Sequence, residues 1–428
     1  MSIRTALAGR VAQLFTSGRL ADARAARAER ARRRRGDPHR VEAFLQADDP
    51  HSHLLLQAAP LLAARHDVQV RPWLVGPPAD WAAPERAMLV AHARTDAALL
   101  AARAGFSFDD PGAQPAPERV RAAEDALAVA FSQAEPWGAA LAVTDALWRG
   151  EPIPVPTDAA GAGARAVAAG EAQRASLGHF MSATLFHGGE WHAGLDRLHH
   201  LERRLDALGA RRDGAPAAPV FAPPVVPGPA RPAAAGPAPT LHWYLSFRSP
   251  YTAIAAHRVR ALAEAHRAPV RLAFVLPMVM RGLPVPRMKS RAFTLDAARE
   301  ARHWGVPFGR IADPVGRPVE RGYALLPWAI ERGRGLEFVE AFLDATWAGG
   351  VDAGSDAGLR RIVEAAGLDW TEGRRRLGDE GWRALAEAHR LEMTGLGLWG
   401  VPSFRVGDVA VWGQDRLWVI DDALRDAP

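Results

Sequence analysis

Read at an offset of 200 residues, the sequence repeats itself. Phe44-Leu45 stands opposite Tyr244-Leu245, and Asp49-Pro50-His51 opposite Ser249-Pro250-Tyr251. Val70-Arg71 and Asp96-Ala97-Ala98 recur as Val270-Arg271 and Asp296-Ala297-Ala298, and Gly105 and Phe108 as Gly305 and Phe308. Toward the ends the offset becomes 219. There Asp196-Arg197-Leu198 faces Asp415-Arg416-Leu417, and Leu201 and Leu205 face Ile420 and Leu424. Coincidences at two fixed offsets indicate an internal duplication, so whatever one half folds into, the other does too. The 428 residues suffice for two or three domains. Residues 214–240 hold nine prolines among Ala, Gly and Val, a composition that makes a semi-stiff extended linker. It separates a first half, 41–212, from a second, 240–428.

Each half reads in the same order. A short apolar strand at 240–246 precedes a helix capped by Ser249, with Pro250 in the first helical position. Ile254, Ala255, Val259 and Leu262 then recur at helical spacing. A second strand, "PVRLAFVL" (269–276), leads into a long helical stretch broken by Gly and Pro. "PSFRVGDVAVWG" (402–413) reads as a hairpin turning at Gly407-Asp408, and the last helix carries Leu417, Ile420 and Leu424. Strand–helix–strand, a helical insertion, then hairpin–helix is the order of a thioredoxin fold interrupted by helices. The fold class expected is therefore α/β, with two tandem thioredoxin-like domains, each carrying a helical insertion.

The chain contains no cysteine, which excludes disulfides, thiolate metal sites and any dithiol redox cycle of its own. No run reaches the roughly 18 apolar residues of a membrane helix, and the N-terminus lacks the apolar core of a secretory signal. The net charge is +5, but residues 1–40 hold eleven Arg against three acids, leaving −3 for the rest. This Ala/Arg-rich arm reads as a solvated, partly helical tail, ahead of a nucleic-acid or membrane contact. Of 53 basic residues only Lys289 is a lysine. In a chain so biased to Arg, it marks a place suited to a compact, titratable amine.

Four features of the second half converge on one chemistry. Ser249 sits at a helix N-terminus, where amide dipoles favour negative charge. Gly400-Val401-Pro402 enters a strand, where Pro is tolerated chiefly at an edge or after a cis bond. Gly413-Gln414-Asp415-Arg416 opens the final helix, whose N–H groups suit a carboxylate while Asp415 suits an ammonium. Lys289 lies in the connection into the helical insertion. Singly these are an N-cap, a strand-start Pro, a first-turn Asp and a surface Lys. In this order they form a constellation. In the first half Asp49, Leu89 and Ala183 occupy the places of Ser249, Lys289 and Pro402, so that half reads as a degenerate copy serving packing or partner binding. His187 and His192 in "FHGGEWHAG" read as exposed turn histidines, since no further donors complete a metal site; no metal is expected.

On "SPYTAIA" (249–255), "GVPSF" (400–404) and "WGQDRL" (412–417), with a weaker match over 286–309, the second half resembles the DsbA-like thioredoxin superfamily. The resemblance is to its branch of 2-hydroxychromene-2-carboxylate isomerases and kappa-class glutathione transferases, and runs from about 240 to 424. It implies that Ser249 replaces the redox cysteine and hydrogen-bonds the sulfur of bound glutathione. Val401, before a cis Pro402, would pair its backbone with the cysteinyl unit, and Gln414 and Asp415 would bind the γ-glutamyl end. Lys289, Arg281 and Tyr251 are the substrate-side candidates. The branch carries an Asn in the loop after the second strand; "PMVMRGLPVP" (277–286) has none, and Arg281 stands in its place. The leading reading is a cytoplasmic glutathione-dependent isomerase or transferase acting on a small unsaturated or aromatic carboxylate. The alternative is a non-catalytic thioredoxin-like binding or scaffold protein. Family members often form homodimers; a tandem chain would replace that interface with an internal pseudo-dimer.

Overall fold

A computed structural model describes residues 3–228, 230 and 236–427. The linker reading at 229 and 231–235 lies outside these described residues. Two compact units emerge, Asp22–Pro223 and Met1–Ala21 with Pro224–Pro428.

The arm holds α1 (Ile3–Thr16) and α2 (Gly18–Arg35). The first unit continues through β1 (His39–Leu45), α3 (Pro50–Arg65), β2 (Val68–Leu74), α4 (Arg86–Ala104), α5 (Pro117–Ala130), α6 (Trp137–Arg149) and α7 (Ala162–Ser176). It ends with the hairpin β3 (Thr184–His187) and β4 (Glu190–Ala193), and α8 (Leu198–Ala207). The second unit repeats the scheme with β5 (Leu241–Leu245), α9 (Pro250–His266) and β6 (Val270–Phe274). Its insertion runs through α10 (Arg287–Trp304), α11 (Arg317–Glu331), α12 (Gly335–Leu343), α13 (Asp356–Ala365), α14 (Trp370–Arg376) and α15 (Trp382–Gly395). The hairpin β7 (Ser403–Val406) and β8 (Val409–Trp412) and the helix α16 (Leu417–Asp426) close it.

The sheets have the orders β2-β1-β3-β4 and β6-β5-β7-β8. In each the first pair is parallel and the others antiparallel. Val41 pairs with Val70 and Leu241 with Val270, so the offset of 200 survives as strand register. Phe44 pairs with Thr184 and Tyr244 with Ser403, which carries the offset of 219 into the hairpins. The α/β architecture with a helical insertion in each half is as the sequence order indicates.

Both α3 and α9 begin at side-chain caps followed by Pro, with Asp49 and Ser249 accepting backbone N–H groups. Each unit has its own core. Leu45, Leu55, Leu62 and Leu147 lie in the first. Phe247, Phe274, Tyr323, Phe338 and Phe342 lie in the second, with Phe247 and Phe342 stacked at 3.9 Å.

Three expectations change here. The arm is not wholly a solvated tail: Gly9 and Thr16 are buried, and Arg302 of α10 donates to the Thr16 carbonyl at 2.9 Å. The linker is partly packed, because Phe221 joins the first core and Val226 the second. His187 and His192 are buried rather than exposed, since β3 and β4 turn them inward from the hairpin. Among the described residues no helix is long and apolar enough to cross a membrane.

Candidate active site

Ser249 follows the turn 246–249, closed by its own N–H donating to the Ser246 carbonyl at 3.0 Å. Its hydroxyl does two things. It accepts the Thr252 N–H at 3.2 Å, capping α9, and donates to the Val401 carbonyl at 3.1 Å. The Val401–Pro402 bond is cis. The Pro402 carbonyl accepts from Gly413 N–H at 2.8 Å, which pins the Pro402 loop to the end of β8. Ser249, Val401 and Pro402 are thus brought together at the positive end of a helix 17 residues long. Thr252, one turn on, is fully buried, and its Oγ1 has no hydrogen-bond partner among the described residues.

Tyr251 and Lys289 meet through a residue that the sequence reading passed over. The ring of Phe293 on α10 packs edge-on against Tyr251 with centroids 6.0 Å apart, and the Lys289 Nζ lies 5.9 Å from the same ring. The Tyr251 hydroxyl donates to Asp296 at 2.9 Å, and Asp296 pairs with Arg299 at 2.6 Å. Lys289 is 2 % exposed, and burial pushes its ammonium pKa down. It is therefore not the solvated surface lysine of the plain reading. Arg281 ends the 3-10 turn Met278–Arg281 after β6. Its charge adds to the hydrogen bond from Arg390 in holding the Glu387 carboxyl below its ordinary range.

Gln414 and Asp415 lie in the 3-10 turn Gln414–Arg416 ahead of α16. Gln414 is buried, and its amide is largely occupied by the protein. Arg258 donates to its Oε1, and its Nε2 donates to Asp415 and, at 3.3 Å, to Glu300. An amide nitrogen has two hydrogens, so both are engaged. Trp304 donates to the same Glu300 oxygen at 3.3 Å, and the Arg258 guanidinium lies 3.9 Å from the Trp304 ring centroid. Glu300 and Arg258 carried no motif signal; only three-dimensional proximity to Gln414 reveals them.

The first unit keeps this frame and changes its chemistry. Gly194 N–H donates to the Ala183 carbonyl at 2.8 Å, as Gly413 does to Pro402. Thr184 Oγ1 donates to Met181, as Ser403 Oγ does to Gly400. At the helix start, however, Asp49 takes the His51 N–H and the Ser52 hydroxyl, and Ser52 accepts the Gln46 N–H. Every hydroxyl and carboxylate there is satisfied internally, and a carboxylate at that point repels an anionic sulfur.

The family model for the DSBA-like thioredoxin domain matches residues 240–425. No curated protein matches the sequence. Among solved structures, the chain is similar to a selenomethionine 2-hydroxychromene-2-carboxylate isomerase, at 20 % identity and a TM-score of 0.38 over 43 % of this chain and 93 % of that one. It is similar to a probable DsbA oxidoreductase from Streptomyces coelicolor, at 21 % identity and a TM-score of 0.36 over 44 % and 88 %. A third is the cytosolic disulfide reductase DsbM from Pseudomonas aeruginosa solved with GSH, at 20 % identity and a TM-score of 0.32 over 40 % and 88 %. The match to the DSBA-like thioredoxin domain thus falls on the second half of the chain, from strand β5 into helix α16.

Proposed function

We propose that the second domain binds reduced glutathione with its sulfur at Ser249 and uses the thiolate to isomerise or transfer onto a small unsaturated or aromatic carboxylate. The observation that carries this is the placement of the Ser249 hydroxyl, at the N-terminus of α9 and 3.1 Å from the carbonyl that precedes Pro402. A chain with no cysteine cannot exchange disulfides, but a serine there can donate to a sulfur supplied by a ligand.

A serine hydroxyl has one proton, and at rest it is directed at the Val401 carbonyl. An extended ligand that offers its own amide N–H to that carbonyl releases the proton to turn onto the ligand's sulfur. Together with the helix dipole, this lowers the thiol pKa and raises the thiolate fraction near neutral pH. The thiolate then adds to a double bond conjugated with the substrate carboxylate, forming a C–S bond while the π pair moves toward the carboxylate. The former double bond rotates as a single bond. The pair returns, the C–S bond breaks, and thiolate leaves without net oxidation or reduction. Lys289 and Arg281 are the cations proposed for the substrate carboxylate, and Asp415 and Gln414 for the γ-glutamyl end.

The second reading, a non-catalytic thioredoxin-like binding or scaffold protein, draws on one specific observation. The Gln414 amide nitrogen is already occupied by Glu300 and Asp415. A site that satisfies itself needs no ligand. Titration calorimetry of the full chain with glutathione, followed by a substrate screen, separates the two. Binding that is lost in Ser249→Ala supports the first reading, and no binding by the wild type supports the second.

A further inference from the structure

We propose that helix α1 is a brace for the turn that presents Ser249, so that the N-terminal arm sets the competence of the second-domain site. The affinity part of this proposal rests on the glutathione reading above; the geometric part does not.

Between α10 and α11 the chain has no regular structure of its own. One side of this segment receives α1. A Cβ built on Gly9 would lie 3.5 Å from the Ile311 carbonyl oxygen and 3.6 Å from the Arg310 side chain. The Thr16 hydroxyl approaches so closely that a Cβ on Gly309 would stand 2.5 Å from it, and Gly309 has a φ of +119°. Only glycine admits that contact. Arg302 donates to the Thr16 carbonyl at 2.9 Å, and the Arg291 guanidinium lies 5.5 Å from the centroid of the Phe15 ring, so α1 is fastened to α10 as well.

The same segment is tied to the Ser249 turn by two routes. Gly309 N–H donates to the Trp347 carbonyl at 2.9 Å, and Ala312 N–H to the Thr346 carbonyl at 2.8 Å. The indole N–H of Trp347 in turn donates to the buried Phe247 carbonyl at 2.9 Å. Phe308 stacks on Trp347 with centroids 5.7 Å apart, which fixes the indole plane. Along the second route, Asp313 accepts from Nε and one terminal nitrogen of the Arg248 guanidinium, at 2.8 and 2.9 Å. Phe247 and Arg248 are the two residues that precede Ser249. An irregular segment held by few backbone bonds is of low local stability, and packing on its far side raises that stability. A reacting hydroxyl has to be held to about 0.5 Å, so loosening of this kind reaches the chemistry. Thr16, Gly309, Trp347 and Asp313 act through other groups and are positioning residues.

The test uses the full chain, a variant lacking residues 1–17, and Gly9→Tyr, which blocks docking from the arm's side without altering the domain. Amide hydrogen exchange at Gly309 and Ala312, exchange of the Trp347 indole N–H, and glutathione affinity are measured for each. The expected result is at least tenfold faster exchange at these sites in both variants and about tenfold weaker glutathione binding, restored by a peptide of residues 1–17 added in trans. Combined with Asp313→Asn, either change should cost less affinity than the product of the separate effects, because the arm acts in part through the Asp313–Arg248 contact and in part through Trp347. Unchanged exchange at Gly309, Ala312 and Trp347 in the deletion variant would overturn the proposal. If the wild type binds no glutathione, the functional reading fails, and exchange at Gly309, Ala312 and Trp347 alone decides the brace.

Discussion

The Tyr251 hydroxyl donates to Asp296 at 2.9 Å, and at the equivalent positions of the first unit His51 Nε2 lies 3.5 Å from Asp96. The pairing of the second residue of the capped helix with the middle of the next long helix has outlasted the change of one partner. It fixes the angle between α9 and α10 whatever the chemistry at the helix start. Asp296→Ala removes the partner of both Tyr251 and Arg299. A hydrogen bond to a charged group contributes about 1.5–3 kcal/mol, so Asp296→Ala should lower stability by about 2 kcal/mol and Tyr251→Phe by about 1 kcal/mol. Thermal unfolding followed through the second unit measures both; equal, negligible losses would mean the pair is only a surface contact.

Helix α7 crosses β2 so closely that a Cβ on Gly170 would sit 2.0 Å from the Leu74 carbonyl oxygen, whereas one on Gly138 in α6 would meet nothing within 4 Å. Replacing glycine by alanine in a helix ordinarily stabilises by roughly 0.4–1 kcal/mol through the unfolded state. Gly138→Ala should follow that rule. Gly170→Ala should reverse it, with a loss of roughly 1–3 kcal/mol from forced separation of helix and sheet. Denaturant midpoints of the two variants give the comparison, and a stabilised Gly170→Ala would refute the packing described for the first unit.

His187 is 5 % exposed and its Nδ1 is buried without a hydrogen-bond partner among the described residues. Burial first, then the nearby Arg204, pushes its pKa down to about 3, with His39 and Arg32 acting in the same direction and Glu29 opposing them. Because the folded value lies below the ordinary 6.5, the stability from the neutral ring is fully present above pH 6.5. It is lost as pH falls toward 3, by about 1.4 kcal/mol per unit. His187→Leu keeps the volume and removes the proton. Relative to wild type, it should therefore gain roughly 2 kcal/mol between pH 7 and pH 5. Parallel pH profiles of wild type and variant would show that His187 is not buried as described.

The duplication was legible because register is fixed by packing. Val41, Val70, Leu241 and Val270 must face the same layers, so their spacing persisted while Ser249 and Asp49 diverged. Caps were legible for a local reason, since Ser249 and Asp49 need only the three residues that follow. The surroundings of Lys289 and Gln414, with Phe293, Glu300 and Arg258 as their partners, were not legible in this sense. Gln414 meets Arg258 and Glu300 across more than a hundred residues, and no spacing rule anticipates such a meeting. The docking of α1 was missed for a related reason. Its contacts use Gly9 and Thr16 and the backbone of 309–311 rather than an apolar stripe, so the hydrophobic periodicity carried no sign of them.

The measurement that bears most directly on the central claim is the pKa of the glutathione thiol bound to the wild-type chain and to Ser249→Ala, read from thiolate ultraviolet absorbance across a pH titration. The account predicts a value in the wild type below the roughly 8.5 of a free thiol. In Ser249→Ala it should rise by about one to two units, with turnover falling ten- to a hundredfold while stability falls by only about 1 kcal/mol. An unaltered thiol pKa and an unaltered rate in Ser249→Ala would contradict it and leave Ser249 as a helix cap alone.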